Sequence, residues 1–287
     1  MYAAVGNLEE READKWATGA RNRPYGPLAP IGPVSRARCP FIGKGIQRVK
    51  RVLIIEHMRD DPMGYVGNLL EEHGIPYDCI NVEKEPVPDP ADYAAVVALG
   101  GSQHVYNEDK HPYFTQEKAM LRRMIEREIP FLGICLGSQL LADVLGGQVR
   151  QHTMTEIGFF DVPLTEEGHK DPLYAGLPGY HKVFHWHEDT FDLPAGAVLL
   201  ETNENTENQA FRYGRHAYGL QYHIEITPEI LDTWLCHPDN KPDAIEALGG
   251  MEAYTALERE RVQLQPIYYE HTRVLFENFL RISGLLV

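Results

Sequence analysis

The sequence predicts an α/β fold: a central, mainly parallel sheet with helices on both faces and a smaller region of antiparallel strands. Three observations lead there. Short apolar runs alternate with helical spacing from about residue 48 to 147, and the links between them are short. Beyond Gly147 the pattern changes to successive strands and turns. Strand and helix in alternation require crossover connections, and these bury a parallel sheet on both faces.

The elements follow in order. Residues 49–56 form an apolar run, as expected of a buried parallel strand. Residues 64–73 have helical spacing and meet Gly74, which can terminate the helix. A second strand covers 77–82, an acidic Pro-rich loop covers 85–92, and a third strand covers 94–99 before Gly100-Gly101. Residues 114–128 read as a helix, 130–134 as a fourth strand, and 139–144 as a helix closed by Gly146-Gly147. Strands are then expected at 148–151, 156–164, 182–187, 197–202, 209–213 and 217–223. Thr227 is an N-cap candidate with Pro228 at the first helical position. Residues 237–250 read as loop and 251–282 as largely helical, with Ile267, Tyr268, His271, Val274, Leu275, Phe279 and Ile282 on a packing face.

Composition narrows the function classes. The 287 residues are 43% hydrophobic and 24% charged, as in ordinary globular proteins. A net charge of -15 argues against a nucleic-acid partner, because phosphate binding needs clustered Lys and Arg. No apolar run approaches the roughly 20 residues that cross a bilayer, so no membrane association is expected. The N-terminus lacks a basic stretch followed by an apolar one, and the expected location is the cytoplasm. Residues 1–47, rich in Pro, Gly and charge, read as an N-terminal extension, either flexible or partner-docking. The four cysteines are scattered without C-x-x-C spacing, which fits neither a disulfide framework nor structural zinc.

One cysteine stands in a chemically suggestive place. Gly133-Ile134-Cys135-Leu136-Gly137 lies between a predicted buried strand and a predicted helix. A nucleophile on such a turn needs small residues two before and two after it, and the following helix aims N–H groups at the sulfur, favouring thiolate. The competing reading is a buried structural cysteine beside packing glycines. A thiol nucleophile needs a base and a group that orients the base. His223 and Glu225 end a predicted strand, where residues two apart share a face, so His223 can take the proton while Glu225 fixes its tautomer. Gly100-Gly101-Ser102, directly after the third strand, is a candidate oxyanion loop, with the Leu136 amide as second donor.

Together Gly100-Gly101-Ser102, the run from Gly133 through Cys135 to Gln139, and Gln221-Tyr222-His223-Ile224-Glu225 resemble the class I (triad-type) glutamine amidotransferases. The resemblance covers about residues 49–236. It implies a three-layer, flavodoxin-like fold, an amidotransferase domain over 48–236 and a C-terminal helical extension over 237–287. It also implies no cofactor, no metal, and L-glutamine or a γ-glutamyl compound as substrate. By position, Cys135 is the nucleophile, His223 the base, Glu225 its orienter, Gly101 and Leu136 the oxyanion donors, and Gln139 a contact of the bound glutamine. The segment Phe184-His185-Trp186-His187-Glu188-Asp189 is similar to the stand-alone subgroup related to the amidotransferase domain of GMP synthetase, which adds Trp186 and His187 at the site's edge. The glycine loop reads Gly100-Gly101-Ser102-Gln103 where many members have Gly-Gly-Pro.

About 60 residues after Glu225 cannot hold an ammonia-accepting synthase domain, so a separate synthase is the expected partner. The alternatives are a γ-glutamyl peptidase or hydrolase and a non-catalytic binding protein on the same fold. His181, His185 and His187, with Glu188 and Asp189, also suggest a metal site, but the family uses none there. Cys39, Cys79 and Cys236 lack an elbow and read as inert.

Overall fold

The computed structural model describes residues 51–287; the expected extension over 1–47, with Cys39, lies outside the described residues. The central sheet has seven strands in the order β2-β1-β3-β4-β9-β8-β7. Its strands are β1 (Val52–Glu56), β2 (Tyr77–Asn81), β3 (Ala95–Ala98), β4 (Phe131–Ile134), β7 (Val198–Glu201), β8 (Ala210–Tyr213) and β9 (Ala217–Leu220). β2, β1, β3, β4 and β9 run parallel, while β8 and β7 extend the sheet antiparallel. Val52 to Ile55 and Ala95 to Ala98 are wholly buried, as the unbroken apolar runs require.

Helices cover both faces. Against one face pack α1 (Gly64–Glu72) and the C-terminal half of α6 (Met251–Ile282), through Val66, Leu69 and Leu70 and through Leu275, Phe276 and Phe279. Against the other pack α2 (Tyr113–Glu126) and α3 (Leu136–Val144), through Phe114, Met120 and Leu121 and through Leu140 and Leu141. α4 (Pro228–Leu231) opens as the sequence predicts: Thr227 Oγ1 accepts the Ile230 N–H and Pro228 stands in the first turn. α6 spans the predicted 251–282.

Two expectations need correction. Residues 149–163 and 180–191 form β5 (Val149–Pro163) and β6 (Tyr180–Phe191), a separate antiparallel pair. The two strands expected over 148–164 are one, with a register irregularity between Gln151 and Glu156. Residues 237–250, expected as loop, contain α5 (Lys241–Ala247), which is too short for periodicity to reveal.

The link between β4 and α3 holds the tightest backbone packing. Cys135 has φ 48 and ψ -106, a conformation side chains other than Gly rarely adopt. Its N–H donates to the Leu220 carbonyl of β9 at 2.8 Å. A Cβ at Gly133 would lie 2.5 Å from the Gly137 carbonyl carbon, and one at Gly137 would lie 2.3 Å from the Ala98 carbonyl oxygen. Both contacts are with backbone, which cannot swing aside as a side chain can. We therefore expect Gly137→Ala to cost at least about 1–3 kcal/mol through overpacking. The check is a lowered denaturation midpoint at unchanged slope; an unchanged midpoint would show that the elbow yields.

Candidate active site

The sequence motifs converge at the C-terminal ends of β3, β4 and β9. In an open parallel sheet this is the end where crossovers separate and leave a crevice. Cys135 begins α3 and is 6% exposed. Its sulfur lies 4.0 Å from the Trp186 carbonyl oxygen and 3.8 Å from Gln221 Nε2. Of the first amides of α3, those of Gly137, Ser138 and Gln139 have backbone acceptors.

His223 follows the end of β9. Its N–H donates to the Phe184 carbonyl at 2.8 Å, so β6 fixes its register. His223 Nδ1 contacts Glu225 Oε1 at 2.5 Å, and the other Glu225 oxygen accepts the Ile224 N–H at 2.8 Å. A carboxylate against Nδ1 assigns the proton to that nitrogen and leaves Nε2 for exchange. Nε2 has no hydrogen-bond partner among the described residues, and Cys135 is, with Glu225, one of the groups that raise the proton affinity of the imidazole. Burial opposes the imidazolium, but Glu225 and the Cys135 sulfur hold His223 well above the usual imidazole range. The Trp234 ring meets the imidazole edge to face, with centroids 5.0 Å apart.

The glycine loop lies against both parts. A Cβ on Gly100 would come within 2.9 Å of His223 Cε1, and one on Gly101 within 2.8 Å of Leu136 Cδ2. Gly100 thus lies beside His223 and Gly101 beside Leu136, the residue after Cys135, while Ser102 is exposed. His57 holds this loop from beneath. Its Nδ1 donates to the Gly100 carbonyl at 3.2 Å, and its Nε2 meets both oxygens of Glu117 at 3.0 and 3.1 Å. Burial lowers the proton affinity of His57, and Glu117 with the Gly100 carbonyl more than restores it. Farther along the loop, His104 Nδ1 and the Tyr106 hydroxyl donate to Asp189, at 2.7 and 3.2 Å.

The remaining sequence candidates play different parts. Gln139 is buried, and its amide donates to Gln221 Oε1 at 3.4 Å, behind the sulfur. Trp186 meets the site through its carbonyl, its ring lying against Trp234. His187 is 4% exposed and points into a polar cluster: Nε2 to Glu156 Oε2 at 2.9 Å, Nδ1 to the Asp189 carbonyl at 3.0 Å.

Two groups have metal-like donor sets, Glu156 with His185 and His187, and Asp61 with His223 and Glu225. In the first, Glu156 also accepts from Asn203, Thr206 and Gln209, which with His187 fills the lone-pair positions a metal would take. Burial opposes the Glu156 carboxylate, but the bonds from His187 and Thr206 hold it below the usual carboxylate range. His181, the third histidine of that motif, pairs instead with Glu201, Nδ1 to Oε1 at 2.7 Å.

Sequence reasoning missed Asp61, His57 and Glu117. Each is a single polar residue in an unremarkable stretch, and only the topology brings it to the site.

Comparison with known proteins identifies the family. The family model described as Glutamine amidotransferase class-I matches residues 68–236. The glutamine amidotransferase-like protein YfeJ of Salmonella typhimurium is 34% identical over 157 residues, covering 53% of this chain and 66% of YfeJ. The glutamine-hydrolyzing GMP synthase of Thermus thermophilus is 38% identical over 148 residues, 49% of this chain and 27% of that enzyme. The chain therefore spans just under two thirds of YfeJ and about a quarter of the synthase. Among solved structures, a glutamine amidotransferase from Thermotoga maritima superposes with a TM-score of 0.72 at 33% identity, covering 81% of this chain and 98% of that one. One from Methylobacillus flagellatus gives 0.71 at 25% identity, covering 82% and 95%. With more than half of its residues matched by the family model, the chain belongs to the class I glutamine amidotransferase family.

Proposed function

We propose that the protein hydrolyses the side-chain amide of L-glutamine with Cys135, His223 and Glu225 as its triad, and that the ammonia serves a separate synthase or acceptor. The observation that carries this reading is the His223–Glu225 pair, 2.5 Å apart, near enough to a cysteine on a strained strand-to-helix turn for that thiol to raise the imidazole's proton affinity.

The steps follow from the positions. Cys135 Sγ attacks the amide carbon as its proton passes to His223 Nε2. Negative charge then develops on the amide oxygen, beside the Leu136 N–H at the head of α3 and the Gly100-Gly101 backbone. His223 returns the proton to the amide nitrogen, the C–N bond breaks, and ammonia leaves a glutamyl thioester. Water then gives a proton to His223 and its oxygen to the thioester carbon. Glutamate departs and the thiol is restored. Glu225 stabilises the imidazolium at both stages. Gln221 lies against the sulfur from the interior, itself bonded by Gln139, and the Trp186 carbonyl borders the glutamyl group. The likeness to glutamine-hydrolyzing GMP synthases supports ammonia transfer as the purpose.

A glutamine-like electrophile should modify Cys135 and no other residue, and Cys135→Ala should abolish both that labelling and glutamate release, measured by mass spectrometry and an enzymatic glutamate assay with a candidate synthase present. Release of glutamate by the Cys135→Ala variant at the native rate would refute the assignment.

The proton affinity of His223 gives a second test. Glu225 raises it, so the imidazolium needed to expel ammonia is lost only as pH climbs through the raised value. Glu225→Gln removes that contribution, and the alkaline limb of kcat/KM should move to lower pH, with kcat falling by about 10²–10⁴-fold. An alkaline limb that stays in place would show that Glu225 does not act on the base.

A further inference from the structure

Asp61 lies in the turn between β1 and α1 and is 1% exposed. The turn that carries it is fixed on three sides. The Met63 N–H donates to Glu56 at 3.3 Å, the Trp234 indole donates to the Asp60 carbonyl at 2.7 Å, and the Tyr65 N–H donates to the Glu225 carbonyl at 2.8 Å. Gly64, φ 44, permits that last approach, since a Cβ there would lie 2.0 Å from the Glu225 carbonyl oxygen. The turn is therefore folded directly against the residue that orients the base.

Within this frame an oxygen of Asp61, a nitrogen of His223 and an oxygen of Glu225 all lie within 4.8 Å of one another. A Cβ on Gly100 would lie 2.5 Å from Asp61 Oδ2, so the oxyanion loop leaves room for the carboxyl. Neither Asp61 oxygen receives a hydrogen bond among the described residues. The polar groups facing it are Glu225, Glu56 and His223. A buried carboxylate without a donor, beside two other carboxylates, is strongly disfavoured. A neutral carboxyl in the same place has a proton to give and an acceptor at hand. Glu225 already carries the charge that balances His223, so a second ionised group would leave this enclosed cluster net negative.

We propose that Asp61 is a positioning residue that stays protonated at neutral pH and donates its proton in a hydrogen bond to Glu225, setting how much of the Glu225 charge acts on His223. Burial first, and the repulsion of Glu225 second, push its carboxyl well above the usual range, in the same direction. His223 responds to four ionisable neighbours: Glu225, Asp61, Cys135 and, from β6, His185, which burial keeps neutral. Among these Asp61 is the one placed to act through the carboxylate rather than through the imidazole.

The inference rests on His223 serving as the base, but it can be tested without substrate. Infrared spectra of the whole protein at neutral pH should contain the carbonyl stretch of a protonated carboxylic acid, and Asp61→Asn should remove it. In histidine-labelled protein, NMR should place the His223 titration within about 0.3 unit of the native value in Asp61→Asn, whose amide still donates to Glu225. Asp61→Leu, with no donor, should raise it by about one unit, a tenfold change in proton affinity. An absent infrared band, or a fall in both variants as expected on removing a charge, would overturn the proposal. So would a folded Asp61→Leu protein with no shift, which would make Asp61 a packing residue. If Asp61→Leu does not fold, the infrared band and Asp61→Asn decide. Loss of glutaminase activity alone would bear on the proposed substrate and not on this arrangement.

Discussion

The backbone of Cys135 is bent into a conformation that costs on the order of 1–3 kcal/mol, and the surrounding contacts exist largely to sustain it. β4 delivers the residue from a fully buried strand, and α3 leaves at once on the other side of the turn. The Leu220 carbonyl of β9 accepts the Cys135 N–H, so the strand that leads to His223 is also the one that pins Cys135. Gly133 and Gly137 let strand, helix and the Ala98 carbonyl approach without side chains between them. The backbone of Cys135 is thus fixed by strand, helix and a neighbouring strand together, a preorganised position for its side chain.

Around this elbow the protein accepts a concentration of buried charge. His57 with Glu117, His187 with Glu156, and His223 with Glu225 are each almost entirely removed from water. Such pairs contribute little net stability, because desolvation offsets most of their attraction. Their value lies in direction. His57 with Glu117 fixes the carbonyl side of Gly100, and Glu156 gathers β5, β6 and the loop before β8 into one polar knot. The His223–Glu225 pair is set instead by β9 and by the Phe184 carbonyl of β6.

Much of this was legible in the chain. The four apolar runs from Val52 to Ile134, the elbow glycines, and the two-residue spacing of His223 and Glu225 carry their meaning locally, because burial and periodicity act on neighbours in sequence. What stayed hidden depends on partners far apart. Periodicity marks 148–151, 156–164 and 182–187 as strands, but it does not say that they pair with each other and leave the central sheet. Asp61 and Glu225 are 164 positions apart, and nothing in either segment announces that the first turn of α1 closes over the second. His187 was legible as a site-edge residue by resemblance, whereas its place in the Glu156 cluster follows from the β5–β6 register alone.

Tyr268 carries a quieter consequence. Its hydroxyl accepts the Ile226 N–H at 3.0 Å and donates to the His223 carbonyl at 3.3 Å, joining α6 to the main chain on either side of Glu225. Phenylalanine would fill the same volume and keep the ring contacts with Phe159 and Tyr269. It would also strip a buried donor and a buried acceptor of their common partner. By shape this position tolerates drift; by hydrogen bonding it does not. A residue 45 positions after His223 is thus tied to that segment by its hydroxyl and not only by its ring.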